Sequence, residues 1–124
     1  MSQYTDGNTK TFTAGAAIAQ YARVKFSSGN VITAGIADKD IGIATTAAAA
    51  SGDPVAIALI SKSGTHKAIA AAAIAQGAAV YTAADGEVSV SASTAFQRGI
   101  ALEAAATDQD IIEIMPTIGD TAVA

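Results

Sequence analysis

The chain has 124 residues, of which 51% are hydrophobic, and its formal net charge is −4. This length suits one domain with a core of its own, and the acidic balance argues against a nucleic-acid partner, which would need a basic face. The sequence has no cysteine, which excludes disulfide and thiolate chemistry, and we expect no membrane partner because no run of 18 apolar residues occurs.

Residues 1–15 are mostly polar, and only Thr11, Phe12 and Thr13 have the character of a strand. The segment lies outside an internal repeat described below. We therefore predict an N-terminal arm that is mobile unless something holds it. A frayed terminus is the alternative.

Period-two alternation predicts short strands along the rest of the chain. In residues 21–26, Ala22, Val24 and Phe26 share one face. Arg23 and Lys25 lie on the other, which predicts either a solvated edge or a set of salt bridges. The predicted strands are 21–26, 31–33, 41–45, 55–60, 66–70, 78–82, 87–91, 98–103 and 110–115.

Two alanine-rich stretches need separate treatment, because alanine is the best helix former. Residues 46–54 are too short for a stable helix and end in Ser-Gly-Asp-Pro, so we predict a loop or a single helical turn. Residues 67–79 could form a helix, but we prefer an extended or single-turn connection. In strand 55–60, Ala56 and Ala58 leave a flat outer face that suits contact with another protein. In the last strand, Ile111, Glu113 and Met115 form an outer face that is unusually apolar.

A hairpin and an internal repeat organise the chain. Asp85-Gly86, between strands 78–82 and 87–91, is typical of a tight hairpin turn. The word AAIAQ occurs at residues 16–20 and again at 72–76, and after the hairpins the match resumes, with GIA at 42–44 and 99–101. Chance is the alternative, since alanine-rich text repeats easily.

These observations predict an all-β fold, a compact barrel or sandwich of short antiparallel strands built from two pseudo-repeated units. The expected divisions are an extended N-terminal arm at residues 1–15, a single β domain at 16–116 and a C-terminal tail at 117–124. The pseudo-repeats are 16–60 and 72–115. Such pairs often close into one barrel with pseudo-twofold symmetry.

No constellation of residues points to chemistry. The one histidine, His66, has no partner placed by spacing and is interpreted as a strand-surface residue. Asp38-Lys39-Asp40 is like the start of a calcium loop but lacks the required Gly and distal Glu. There is no nucleophile elbow and no phosphate loop. We therefore expect no catalytic, cofactor-binding or metal site, and no enzyme.

The stretch AAIAQGAAVYTAADGEVSVSAS, followed by RGIALEAAATDQDIIEIM, resembles the capsid decoration (cement) proteins of tailed phages, of the DUF2190 type. These read like A-I-x-x-G-x-x-V-Y-x-D, then a hairpin, then G-[VI]-A-L-E-A-A-A and a closing strand. The first copy departs from the pattern, with Tyr21 where the second has Gly77. The matching positions are Ile74, Gly77, Val80, Tyr81, Gly99, Ile100, Ala101, Leu102, Glu103 and 104–106.

The resemblance implies a structural protein of the virion, synthesised in the bacterial host cytoplasm and placed on the outer capsid surface. Such proteins sit at threefold or quasi-threefold positions as homotrimers and brace the major capsid protein. We expect capsid contacts at Tyr4, Thr11, Phe12 and Thr13, with Phe12 as the apolar anchor. Deleting residues 1–12 should then abolish capsid binding and leave the fold intact.

Other functions stay open at this point. The chain could be another virion component, such as a head-fibre base or a tail protein. A receptor- or glycan-binding module would want exposed aromatic side chains, and Tyr4, Tyr21 and Tyr81 are a thin supply. An enzyme would need a clustered set of polar side chains in a deep pocket.

Overall fold

The computed structural model describes residues 9–60, 64–91 and 95–116. Within them the chain forms ten strands and one three-residue 3-10 turn, Ala84–Gly86, and every strand pair is antiparallel. The all-β prediction is confirmed. The strands are β1 (Thr9–Thr13), β2 (Arg23–Ser27), β3 (Asn30–Thr33), β4 (Gly42–Ala44), β5 (Pro54–Leu59), β6 (His66–Ile69), β7 (Ala79–Thr82), β8 (Val88–Ser89), β9 (Gln97–Ala101) and β10 (Ile111–Pro116).

The strands form two five-stranded sheets with the same topology. The first has the order β1-β5-β4-β2-β3 and the second β6-β10-β9-β7-β8, so each strand of the first has a counterpart in the second. We call residues 9–60 the N-unit and residues 64–116 the C-unit. The repeat read from the sequence is therefore present in the fold.

Each sheet curls until its two edge strands approach one another. A parallel bridge joins Ala14 to Val31 in the N-unit, and the equivalent bridge joins Ala70 to Val88 in the C-unit. All four residues are fully buried, and each unit encloses an apolar cluster of its own. Alternation thus places the branched side chains inside each curled sheet, where their burial stabilises the unit.

The two hairpin turns show why the repeat spacing changes by one residue. Ser28 and Gly29 have φ of 50° and 85°, and Asp85 and Gly86 have φ of 58° and 74°. These left-handed pairs match the right-handed twist of the flanking strands. The turn after β2 has two residues, because Ser27 pairs with Asn30. The turn after β7 is longer, and its extra residue shifts the spacing from 56 to 57.

The N-terminal segment is integrated into the first sheet where the structure describes it. Strand β1 pairs with β5 along its whole length, from Thr9 with Ala58 to Thr13 with Pro54. Phe12 packs against the N-unit core. The expectation that deleting residues 1–12 leaves the fold intact is therefore wrong for residues 9–12. Residues 1–8 and 117–124 lie outside the described part, and the predicted division at residue 15 stays a prediction.

The alanine-rich stretches contain no helix. The connection from β6 to β7 has an isolated bridge from Ile74 to Ala105 and a turn at Gln76-Gly77, in agreement with the extended or single-turn connection preferred from the sequence. The predicted strand 87–91 is shorter, because pairing stops after Ser89 and the Ser89 hydroxyl instead accepts a hydrogen bond from the Ser91 N–H at 3.2 Å.

Candidate interaction surfaces

The two units meet through the outer side of the first sheet. Register places Arg23, Ile43 and Ala58 in one row across strands β2, β4 and β5 on that side. All three are buried, and Ile43 packs within the apolar cluster of the C-unit rather than that of its own unit. The alanine face predicted to contact another protein is thus, at Ala58, covered by the second half of the same chain.

Arg23 is the largest fully buried side chain in the described residues, and its guanidinium reaches across the contact between the units. Its Nε donates to the carbonyl of Glu87 at 2.9 Å, and its Nη2 donates to the carbonyls of Ala83 at 2.5 Å and Gly35 at 3.2 Å. Two of these acceptors belong to the C-unit turn after β7. Arg23 therefore fixes that turn against the N-unit.

Asp40 joins a second arginine to the same cluster. Its carboxylate accepts a hydrogen bond from Arg98 Nε, and the same oxygen lies 3.9 Å from Arg23 Nη1. Asp40 and Arg98 are about 95% buried. The contact between the units thus holds two guanidinium groups around one carboxylate, away from water.

The electrostatics of this cluster follow from its burial. Burial lowers the pKa of Arg23 to about 10, and the nearby Asp40 carboxylate opposes that shift. Burial also raises the pKa of Asp40, while Arg98 and Arg23 pull it down. Taking these charges out of water is costly, so the pairing depends on all three side chains being present.

Polar contacts continue on both sides of the cluster. The Thr82 hydroxyl donates to the carbonyl of Ile36 at 2.5 Å, and the Gly86 N–H donates to the carbonyl of Ala34 at 2.8 Å. A Cβ on Gly86 would come within 2.9 Å of Ala22 Cβ, so the backbone of this turn lies directly against the N-unit. Only a residue without a side chain fits there.

Of the two interpretations of the β2 charges, the salt-bridge set is confirmed. Lys25 Nζ lies 2.8 Å from Asp38, at a partly exposed position, while Arg23 pairs with Asp40 inside. The Lys25 contact and the Gly35 N–H lower the pKa of Asp38. The solvated-edge alternative is wrong for Arg23, because the C-unit covers that side of the sheet.

A cleft of about 270 Å³ lies beside the ion cluster, between the two units. His66, predicted to lie on the strand surface, is buried there, with Nε2 3.2 Å from the carbonyl of Leu59. Its parity places it inside the C-unit with Ala68. Lys67 Nζ lies 5.8 Å from the centre of the Tyr21 ring across the cleft. The lining residues are Tyr21, Ile43, Thr45, Ala58, Thr65, His66 and Lys67.

The described residues include no group of three or more His, Asp or Glu that could hold a metal ion. The Asp38-Lys39-Asp40 loop is used otherwise, since Asp38 accepts a hydrogen bond from the Gly35 N–H at 2.7 Å and Asp40 pairs with Arg98. No helix within these ranges is long and apolar enough to cross a bilayer. The prediction that the chain is not an enzyme is left untested.

Several large apolar side chains stay exposed on the described surface. The apolar outer face predicted for the last strand is present, with Ile111 44% and Met115 45% exposed. Phe26 is 59% exposed and makes an edge-to-face contact with Phe12 at 5.7 Å between ring centres. The full set is Phe26, Ile36, Val90, Leu102, Ile111 and Met115.

The structure places three of the four predicted capsid-contact residues on β1. Thr11 and Thr13 are exposed on its outer side, and Phe12 is half-buried on the inner side against Phe26. Tyr4 lies outside the described residues. The assignment of these four residues to capsid contact stays a prediction.

One capping interaction recurs in both units. The Asp110 carboxylate accepts hydrogen bonds from the N–H groups of Ala106 at 2.8 Å and Thr107 at 3.1 Å, and Asp53 caps the equivalent loop of the N-unit. These backbone donors lower the pKa of Asp110 below its ordinary value of 3.8. The ionised carboxylate therefore favours the folded loop.

Replacing Asp110 with alanine should lower the melting temperature at neutral pH. The stabilisation is present above the unfolded pKa of 3.8 and is lost as the pH falls through the lower folded pKa, so the difference from wild type should shrink on acidification. Thermal melts between pH 7 and pH 2 measure it, with the exposed Asp108→Ala as control. A difference that does not change with pH would contradict the assignment.

Comparison with known proteins identifies a family for this all-β chain. The sequence profile of the phage cement protein family matches residues 4–116. The chain belongs to the phage cement protein family. This match confirms the family resemblance, and the DUF2190 label itself is not tested. As a cement protein, the chain is a structural component of the virion.

A solved structure similar to this cement protein is the crystal structure of the head fiber gp8.5 N base in bacteriophage phi29. The TM-score is 0.72, with 20% sequence identity over 90% of this chain and 94% of that chain. At this identity the likeness shows a shared fold. No curated protein matches the chain.

Sequence reasoning missed the buried cluster of the cement protein. Arg23, Asp40 and Arg98 fall at repeat positions whose counterparts are Ala79, Gln97 and Ile41. The signal available in the sequence was a charged residue at a repeat position whose counterpart in the other unit is uncharged. Departures from the repeat therefore marked the contact between the units better than the repeat itself did.

Proposed function

We propose that this cement protein binds the major capsid protein on the outer surface of the phage head, at threefold or quasi-threefold positions, as a homotrimer that stabilises the shell. The family match over residues 4–116 carries the proposal. A brace needs a stiff body, and the two core clusters tied by buried ions supply one. Several weak contacts in one trimer add to a strong attachment by avidity.

Imaging of the intact particle tests the position. Particles made with and without the protein should differ by density outside the shell at threefold or quasi-threefold positions, and the particles without it should rupture at a lower temperature. Density inside the shell or on the tail would overturn the proposal.

The proposed capsid contacts give a prediction on binding. Deleting residues 1–8 removes Tyr4 but leaves β1, which begins at Thr9, so the truncated protein should fold as wild type and lose most of its co-sedimentation with capsids. Thr13→Lys places a charge on the exposed side of β1 and should weaken binding in the same direction.

Ser51→Lys is the matched control, because it adds the same charge to an exposed loop of the same unit and should leave binding unchanged. Full occupancy of capsids by both the truncated protein and the Thr13 variant would refute the contact assignment. It would leave the position on the particle to the imaging experiment.

A head-fibre base is the second candidate, favoured by the fold shared with the head fiber N base of bacteriophage phi29. In that case the protein would carry a further chain away from the head. Images of the particle separate the two functions, since a base supports a projecting fibre and a cement protein ends at its own surface.

A further inference from the structure

The contact between the two units uses different surfaces on each side. Residues with an equivalent role in the repeat do not meet across it, so the units are arranged head to tail rather than about a twofold axis. We call the N-unit surface the covered face; it includes Tyr21, Arg23, Thr33, Ile43, Thr45 and Ala58. We call the C-unit surface the covered socket; it includes His66, Thr82, Gly86 and Arg98, with the exposed Lys67 at its rim.

A head-to-tail contact between two like units leaves one surface of each kind without its counterpart. The C-unit has a face of its own, and the N-unit has a socket of its own, and no part of the described chain covers either. The free face includes Gly77, Ala79, Val90, Gln97, Ile100, Leu102 and Met115. The free socket includes Thr11, Phe26, Gly29 and Ile41.

The exposed apolar side chains concentrate on these two free surfaces. Of the six large apolar residues exposed in the described chain, three lie on the free face and one, Phe26, lies in the free socket. The positions they match in the covered contact hold smaller or more polar residues. The four correspondences are Val90 with Thr33, Leu102 with Thr45, Met115 with Ala58, and Phe26 with Thr82.

The charges point the same way. The covered contact contains the buried ions Arg23, Asp40 and Arg98, whose counterparts on the free surfaces are Ala79, Gln97 and Ile41. Covering the free surfaces would bury no ion at these positions. Uncharged side chains at these positions are typical of the core of an interface between protein chains.

We propose that the free face of one copy binds the free socket of a second copy, in a repeat of the contact within the chain. The number of copies in this inference, three, is taken from the homotrimer of the proposed function. Three such contacts would then alternate with three contacts inside the chains around a closed ring of six units. Thr11, the counterpart of Lys67, lies at the rim of this contact, and Phe12 packs against Phe26 within its own unit, which leaves Tyr4 and Thr13 for the capsid.

Single charges in either surface test the proposal through the mass in solution. Met115→Glu disables the free face and Phe26→Glu disables the free socket, so each variant alone should change from three chains to one by light scattering. An equimolar mixture should form a dimer of one chain of each variant, because one undamaged face and one undamaged socket remain. A contact that used the same patch on both copies could not be rescued in this way.

Ile111→Glu is the matched control. Ile111 lies on the same strand as Met115 and is equally exposed, but its repeat counterpart, Pro54, lies outside the covered contact. This variant should keep the wild-type mass, and circular dichroism should show the same β spectrum for all three. A monomeric wild type, or a mixture that stays monomeric, would overturn the proposal.

Failure of this inference and failure of the proposed function give different results. If the ring is wrong but the function is right, wild type decorates capsids and the mixed variants do not pair. If the function is wrong but the ring is right, the mixed variants pair and wild type does not bind capsids. The two measurements are made on the same purified full-length chains.

Discussion

Replacing Asp40 with alanine is expected to lower the free energy of unfolding by about 3–5 kcal/mol, the usual loss when one partner of a buried ion pair is removed. The variant leaves the guanidinium groups of Arg23 and Arg98 in the contact between the units without their carboxylate. Both side chains are more than 95% buried, so water cannot take the place of the lost partner. Urea unfolding followed by circular dichroism measures the loss.

Two further variants make the result specific to burial. Asp38→Ala removes a carboxylate of the same loop from a partly exposed salt bridge with Lys25, and it should cost less than about 1 kcal/mol. The double variant Asp40→Leu with Arg98→Leu still deprives Arg23 of its carboxylate, but it should cost less than the sum of the two single changes, because neither Asp40 nor Arg98 is then left without the other. Equal effects of Asp40→Ala and Asp38→Ala would contradict the role given to the cluster.

Replacing Gly42 or Gly99 with alanine is expected to destabilise the protein by about 1–3 kcal/mol each, the range for overpacking a filled site. A Cβ on Gly42 would lie 2.2 Å from the carbonyl oxygen of Ala58, and one on Gly99 would lie 2.3 Å from that of Met115. The atoms in the way belong to the backbone of the neighbouring strand, which cannot rotate aside. Both strands must separate for the methyl group to enter.

Gly77→Ala is the matched control, because nothing lies within 4 Å of its Cβ position. Its φ of 86° is left-handed, so this variant carries only the cost of that conformation, about 1–2 kcal/mol. Chemical unfolding of the three variants checks the order. A smaller loss at Gly99 than at Gly77 would show that the strands separate more easily than the structure implies.

Gly99→Ala should also affect association of copies. The backbone that its methyl group would displace is that of Met115, a residue of the free face. The equivalent displacement at Gly42 falls on Ala58, in the covered face. At concentrations where the Gly42→Ala variant remains assembled, the Gly99→Ala variant should therefore dissociate and show a lower mass in solution.

The strands and the repeat were predictable because alternation and turn chemistry are local. Asp85-Gly86 adopts the left-handed turn that its sequence favours, and Val80 and Val88 point into the core as their parity requires. The limits of strands were less certain because pairing with a distant strand decides them, as for β8, which ends at Ser89.

The buried polar residues were not predictable from local pattern. An arginine that alternates with apolar residues is usually solvated, and nothing within β2 shows that a second unit covers Arg23. His66 was misplaced for a similar reason: its inward parity was readable, but the carbonyl of Leu59 that meets it comes from the other unit. Both errors concern residues at the contact between the two repeats. The alternation pattern within one repeat carries no information about that contact.

The curling of the sheets has a consequence for the behaviour of the protein before assembly. The edge strands β1, β3, β6 and β8 have five, four, four and two residues, and the two edges of each sheet approach one another at a single bridge. Short edges expose few unpaired backbone groups, which are the template for aggregation through added strands. We therefore expect newly made chains to resist fibrillar misassembly, with recognition between copies left to side chains.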